Sequence, residues 1–281
     1  MATPKSFDRR WIFLAMGVVV VGLYAAGIRA PLPNSRYVES FHKTIEDLPA
    51  GSIVLLSADF DPASAAELEP MYKAVIHHLF QRNLRIVNVA TWPAAPPFTR
   101  DAFSRIAPQY HKQYGVDWVE LGFLVGDDVA LGSIGQSLRS AYPTDTLNHS
   151  AYDSFPLLRA VGDSCQGIAL LVTISAGFPG VLEWIPQLGS RYGVPIITGT
   201  TAVQTPPLFA YYPNQIKGFL GAATGATQYL QMVAENTPEL QSTRDENQKR
   251  MLVQSWAHML IIGLIVVGNV IYFTGRRKAE G

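Results

Sequence analysis

Cysteine occurs once in the 281 residues, at Cys165, so no intrachain disulfide can form even in an oxidising compartment. A lone cysteine of this kind reads as a small buried apolar group rather than a reactive thiol. Glycine-rich phosphate loops are missing too: no GxGxxG follows the first β-type run, and there is no GxxxxGK[ST]. Neither is there a GxSxG elbow, so nucleotide binding on such a loop and a hydrolase nucleophile of the usual type both lack support. A basic stripe is absent as well. Residues 29 to 250 carry 16 Lys and Arg against 20 Asp and Glu, a formal charge of −4, which excludes nucleic acid as a partner. The six histidines are scattered, and His77 and His78 are neighbours that point to different faces of one helix. None has the spacing of a zinc site, so neither a metal nor a cofactor is expected.

What the chain does have is two apolar blocks, "WIFLAMGVVVVGLYAAGI" (Trp11 to Ile28) and "WAHMLIIGLIVVGNVIYF" (Trp256 to Phe273), each eighteen residues without a charge. Either is just long enough to span a bilayer as a helix, since about 20 residues cross roughly 30 Å of hydrocarbon. The first block, with its basic lead and an Ala25-x-Gly27 site, also fits a cleavable signal peptide. Lys5, Arg9 and Arg10 precede the first block, and Arg276, Arg277 and Lys278 follow the second. Basic flanks stay cytoplasmic, so both termini are expected inside and everything between them outside, at the inner membrane if the source is bacterial. Gly17, Gly22, Gly27, Gly263, Gly268 and Asn269 are residue types through which membrane helices pair.

This gives a division into a basic N-terminus (1–10), a first span (11–28), a stalk helix (29–50), an extracytoplasmic body (51–235), a polar linker (236–255), a second span (256–273) and a basic tail (274–281). Within the body, five apolar runs rich in β-branched residues stand at 52–58, 84–90, 116–125, 167–175 and 194–200. Such runs suit strands buried on both faces, and helical stretches lie between them. The expected fold is therefore a doubly wound α/β domain of Rossmann or flavodoxin type, with a mainly parallel five-stranded sheet. Gly115 and Gly193, in "QYGV" and "RYGV", fit the left-handed residue just past a helix. Pro70, Pro108 and Pro186 fall inside helical stretches and are expected to kink or divide them. Small residues at Gly218, Gly221, Ala222 and Gly225 lie in a stretch read as a helix, where they would let another helix come close. The connection from about Ala141 to Ser164 is long for a compact domain, and Asn148 within it heads a formal glycosylation triplet.

In a parallel sheet ligands bind beyond the carboxyl ends of the strands. Asp59 and Asp61 stand there after the first run, Asp127 and Asp128 after the third, Ser175 after the fourth, and Thr198 and Thr200 on the fifth. A rim of acids and hydroxyls could hold a polar ligand or a cation through oxygen. Asp61 followed by Pro62 is equally the start of a helix, an aspartate cap before a proline at the first helical position. The Asp59-x-Asp61 pair also resembles that of the haloacid dehalogenase phosphatases, which would make Asp59 a nucleophile and Asp61 a general acid. The pattern departs from that family, since "PAS" replaces the threonine expected after the second aspartate and "GDD" comes before "IITGT" rather than last. The first expectation is thus a non-enzymatic binding or assembly subunit, partnered by the lipid bilayer and by copies of itself or other membrane-protein subunits. The alternative is a small-ligand receptor or hydrolase-type enzyme acting through the acids and hydroxyls at the strand ends.

Overall fold

A computed structural model describes residues 9–29, 31–146, 154–235 and 237–279. The chain divides into two compact units, one of Pro33–Leu240 and one of Met1–Leu32 with Gln241–Gly281. In chain order the elements are α1 (Arg9–Ala26), α2 (Arg36–Glu46), β1 (Ile53–Asp59), α3 (Pro62–Gln81), β2 (Arg85–Ala90), α4 (Pro96–Ile106), β3 (Trp118–Phe123), α5 (Asp127–Gln136), α6 (Leu138–Ala141), α7 (Pro156–Val161), β4 (Ile168–Ser175), α8 (Val181–Trp184), β5 (Ile196–Thr200), α9 (Thr205–Leu208), β6 (Gly218–Gly221), α10 (Ala222–Ala234) and α11 (Pro238–Ala279).

All strand pairings are parallel, in the order β3-β2-β1-β4-β5-β6, so the sheet reverses its winding between β1 and β4. The strands alternate their side chains between two apolar cores. On one face Val54, Leu56 and Ala58 of β1 pack with α2, α3, α4 and α10. On the other, Ile53 and Leu55 pack with α5, α7 and α8. Burial on both faces is what the continuous apolar runs require.

The structure corrects the expected five strands to six. "GFLG", read as part of a helix, is the edge strand β6, paired with β5 from Ile197↔Gly218 to Thr200↔Gly221. Glycine serves close approach here, because a Cβ on Gly218 would overlap the backbone of Ser40 and Phe41 in α2. The element that comes close is therefore α2, which buries Val38, Phe41 and Ile45 in the body and does not stand off as a stalk. Its start is fixed by Ser35, whose side chain accepts from the amide of Val38. The three prolines behave differently. Pro108 is the second residue of a short 3-10 turn after α4 and Pro186 lies in a π-helical turn after α8, whereas α3 runs unbroken through Pro70. The amide lost at Pro70 would have bonded the carbonyl of exposed Ala66, where water can replace it, while buried Leu68, Met71 and Tyr72 hold the neighbouring turns.

The second correction concerns the membrane. Among the described residues, one helix is long and apolar enough to cross a bilayer, Leu240–Thr274 within α11, and none of its most apolar stretch is buried in the protein. The run from Trp11 to Ile28 yields a shorter apolar helix because Gly27, at φ +63°, takes the left-handed conformation that ends α1 at Ala26. Residues 238–255, read as a linker, are the first turns of α11. Within this unit the Tyr24 hydroxyl donates to Glu246 Oε1 at 2.7 Å and Arg29 pairs with Asp245. The Asn148 triplet lies outside the described residues.

Candidate functional site

The carboxyl edge of the sheet follows from strand parity. Leu55 faces the α8 side, so Ser57 and Asp59, two and four residues on, face it too; Leu171 places Thr173 and Ser175 there, and Val89 places Thr91. Three neighbouring strands thus converge hydroxyls on one carboxylate. Asp59 Oδ1 accepts from Ser57 Oγ at 2.5 Å and from Thr91 Oγ1 at 2.6 Å, with the Thr91 amide at 3.3 Å. Oδ2 accepts from Thr173 Oγ1 at 2.7 Å and Trp184 Nε1 at 3.3 Å. The residue is fully buried, and removal from water raises its pKa above the ordinary carboxylate range against the lowering effect of these donors. With every lone-pair direction taken and Trp184 across its open side, Asp59 has no face left for a substrate. The nucleophile role that the phosphatase resemblance would give it has no access route here.

The other predicted residues are placed one by one. Asp61 caps α3: its carboxylate accepts from the Ser64 amide at 3.0 Å and the Ser64 hydroxyl returns to the Asp61 amide, with Pro62 at the first position. Ser175 is buried and donates to the Gly177 carbonyl at 3.2 Å. Thr198, also buried, donates to the Thr173 carbonyl at 3.0 Å, and Thr200 meets Thr205 at 3.1 Å. These hydroxyls serve the sheet and its turns. Asp127 and Asp128 are exposed at the start of α5, where negative charge suits the helix dipole, and Asp127 holds φ +48°. The structure therefore does not bring the seven together around one opening.

Over the switch between β1 and β4 the crevice is filled by side chains and turns. Trp92 Nε1 donates to the Pro179 carbonyl at 2.9 Å, closing the gap between the β2 and β4 ends, and Gly177 lies against the Trp92 ring. Beside this plug lies an open depression of about 410 Å³ lined by Trp92, Phe123, Val125, Asp127, Phe178 and Pro179. Of the residues that line it, Val125 is 79% exposed and Phe178 61%; Val129, one turn on from Val125, is 73% exposed, and Val203, beyond β5, 82%.

A second polar cluster lies at the opposite, amino edge, and spacing between histidines alone gave no sign of it. His42 and Glu46 are four apart on α2 and so share a face. Facing them is His78, near the end of α3. His78 Nε2 lies 2.8 Å from Glu46 Oε1 and its Nδ1 2.7 Å from the Tyr229 hydroxyl, while the His42 ring stacks on it at 4.5 Å. Arg82 sits 3.4 Å from Glu46 Oε2. Burial pushes His78 down to about 4 and lowers His42 as well. The readable signal was H-x-x-x-E, with one ligand type on either side of the spacing. Cys165, by contrast, is where it was expected, buried with its thiol pushed up to about 12 by desolvation.

Compared with known proteins, the sequence matches no family model and no curated protein.

Proposed function

We propose that this protein is a membrane-anchored, non-enzymatic binding or assembly subunit whose α/β body offers the carboxyl edge of its sheet to an apolar segment of another membrane-protein subunit. The observation that carries the reading is the state of that edge. Where a doubly wound sheet would admit a small molecule, Asp59 is saturated and Trp92 and Pro179 close the crevice, yet the depression beside it exposes Val125 and Phe178, and Val129 and Val203 stand bare nearby in the chain, after β3 and β5. Exposed apolar side chains grouped on one surface are the mark of a protein contact rather than of catalysis.

The anchor is α11. Its 42 residues extend for roughly 63 Å, about twice the hydrocarbon thickness, so the apolar half spans the bilayer and the polar half stands in water. The shorter α1 is a second apolar helix, tied to α11 through Tyr24 and Arg29. Half-buried Ile12, Ala15, Met16, Val19 and Leu23 mark its packed side. With Arg276, Arg277 and Lys278 after the span, the C-terminal tail lies in the cytoplasm and the body outside it.

The test is native mass spectrometry of the protein extracted gently from its own membrane, with the wild type compared to a Val125→Asp, Val203→Asp double variant. A heteromeric mass that the double variant loses is the expected result. A wild-type monomer that carries a metabolite would overturn the reading, and a homo-oligomer sensitive to the same two substitutions would replace the foreign subunit by a second copy.

A further inference from the structure

We propose that His42, Glu46 and His78 form a site for one divalent transition-metal ion of the zinc type, which clamps α2 to α3 at the amino edge of the sheet. One ligand atom from each of the three lies within 4.8 Å of the others. Two imidazoles and one carboxylate make a nitrogen-rich set that suits zinc or cobalt and not magnesium or calcium, which take oxygen ligands.

The three residues come together for reasons that have nothing to do with one another's chemistry. Helix spacing puts His42 and Glu46 on one face of α2, and the missing side chain at Gly218 lets α2 settle onto β6. Phe41 then packs edge-on against Tyr229 of α10, and Tyr229 in turn meets His78. That hydroxyl is what a ligating histidine needs behind it. When Nδ1–H donates to the Tyr229 oxygen, Nε2 is left with its lone pair toward Glu46 Oε1, and an ion takes the place of the single proton those two atoms now share. No net proton is gained or lost by His78, because the ring hydrogen moves from Nε2 to Nδ1. Arg82 Nε lies 3.4 Å from the other oxygen of Glu46, an ion-pair distance, and the guanidinium donates to the Glu46 backbone carbonyl at 3.0 Å.

His42 supplies the third ligand after a turn of its ring. It now lies stacked on His78 with 21° between the planes, but it is only half-buried, and rotation about its Cβ–Cγ bond swings a ring nitrogen toward the shared point. The Glu46 side chain is 38% exposed, which leaves an open side where water completes a four-coordinate shell.

The experiment is a titration of full-length, tag-free protein in detergent with Co²⁺, read by its visible absorption and then by displacement with Zn²⁺. One Co²⁺ per chain, displaced by Zn²⁺, is expected, with affinity reduced by at least about tenfold in His42→Ala and in Glu46→Gln. Both substituted side chains reach solvent, so thermal unfolding of the metal-free variants should stay near that of the wild type and certify the fold. Zn²⁺ should raise the unfolding temperature of the wild type and not of the variants. Wild-type protein that binds no Co²⁺, or binding unchanged in both variants, overturns the site. Because this readout involves no partner, it stands or falls separately from the assembly reading.

Discussion

The two edges of the sheet each bury an ionisable side chain, and they bury it in opposite ways. At the carboxyl edge Asp59 is surrounded by donors from β1, β4 and α8 and by Thr91 just past β2, and nothing is left over for a ligand. At the amino edge His78 has two partners, one of which, Glu46, reaches solvent. The first arrangement is closed because parity places hydroxyls on three adjacent strands around one carboxylate. The second is open because it forms between a helix packed on the sheet and the end of another. A buried acid at the position where α/β folds usually bind is thus fully hydrogen-bonded within the fold here, and the more adaptable chemistry sits at the edge where none is usual.

The largest expected effect breaks the closed edge. Asp59→Ala leaves three hydroxyls and an indole N–H without their acceptor, and at about 1–3 kcal/mol for each buried group left unpaired the body should lose several kcal/mol or fail to fold. Chemical unfolding followed by tryptophan fluorescence measures it, and a variant as stable as the wild type would show that Asp59 is held for function and not for structure. Asp59→Asn refines the point. Burial raises the folded pKa of Asp59 above the ordinary aspartate value of 3.8, so the stability it contributes is complete below that value and declines as pH rises through the folded one. Asparagine does not titrate. The deficit of Asp59→Asn should therefore be greatest in acid and narrow as pH rises.

The open edge should respond next, and through packing. Alanine at Gly218 drives a methyl group into the backbone of α2, an overpacking expected to cost about 1–3 kcal/mol and to speed amide exchange across Val38 to Ile45 before the sheet itself opens. Its pH response runs opposite to that of Asp59. Desolvation pushes His78 down to about 4, so in the metal-free chain its contribution is complete above the ordinary histidine value of 6.5 and is lost as pH falls toward 4. Stability measured against pH should fall over that interval in the wild type, and His78→Gln should flatten the fall. A slope that survives the substitution would move the titration to another group.

How much of this could be read from the chain alone depends on whether the signal is local. Five of the six strands, the Asp61 cap and the left-handed Gly193 past its helix were legible, because burial on both faces, a cap before proline and a residue without Cβ each leave a mark within a few positions; Gly115 is left-handed too, but in the turn before β3, the helical turn ahead of it ending at left-handed His111. β6 was not. Four residues, two of them glycine, carry no β signature, and "GFLG" becomes a strand only because β5 offers an unpaired edge beside it. Asp59 was visible as a residue but its enclosure was not, since the donors that close it come from Thr91, Thr173 and Trp184, distant in sequence. The His42, Glu46, His78 cluster was missed for the same reason, its third member arriving from another helix. Apolar length was visible at both ends of the chain, but the turn at Gly27 that shortens α1 depends on a backbone angle.

The smallest expected change in stability belongs to the surface on which the assembly reading depends. Val125 and Val203 make little use of the core, so Val125→Asp and Val203→Asp should each leave unfolding within about 0.5 kcal/mol of the wild type. Their effect should appear only in association, as loss of the co-purifying subunit in membranes where the wild type retains it. Residues that the fold does not need, kept apolar in water, are then accounted for by what covers them. If both variants keep the full complex, the bare valines are ordinary surface residues of the kind every protein carries, and the partner must be sought on the helices of the membrane unit instead.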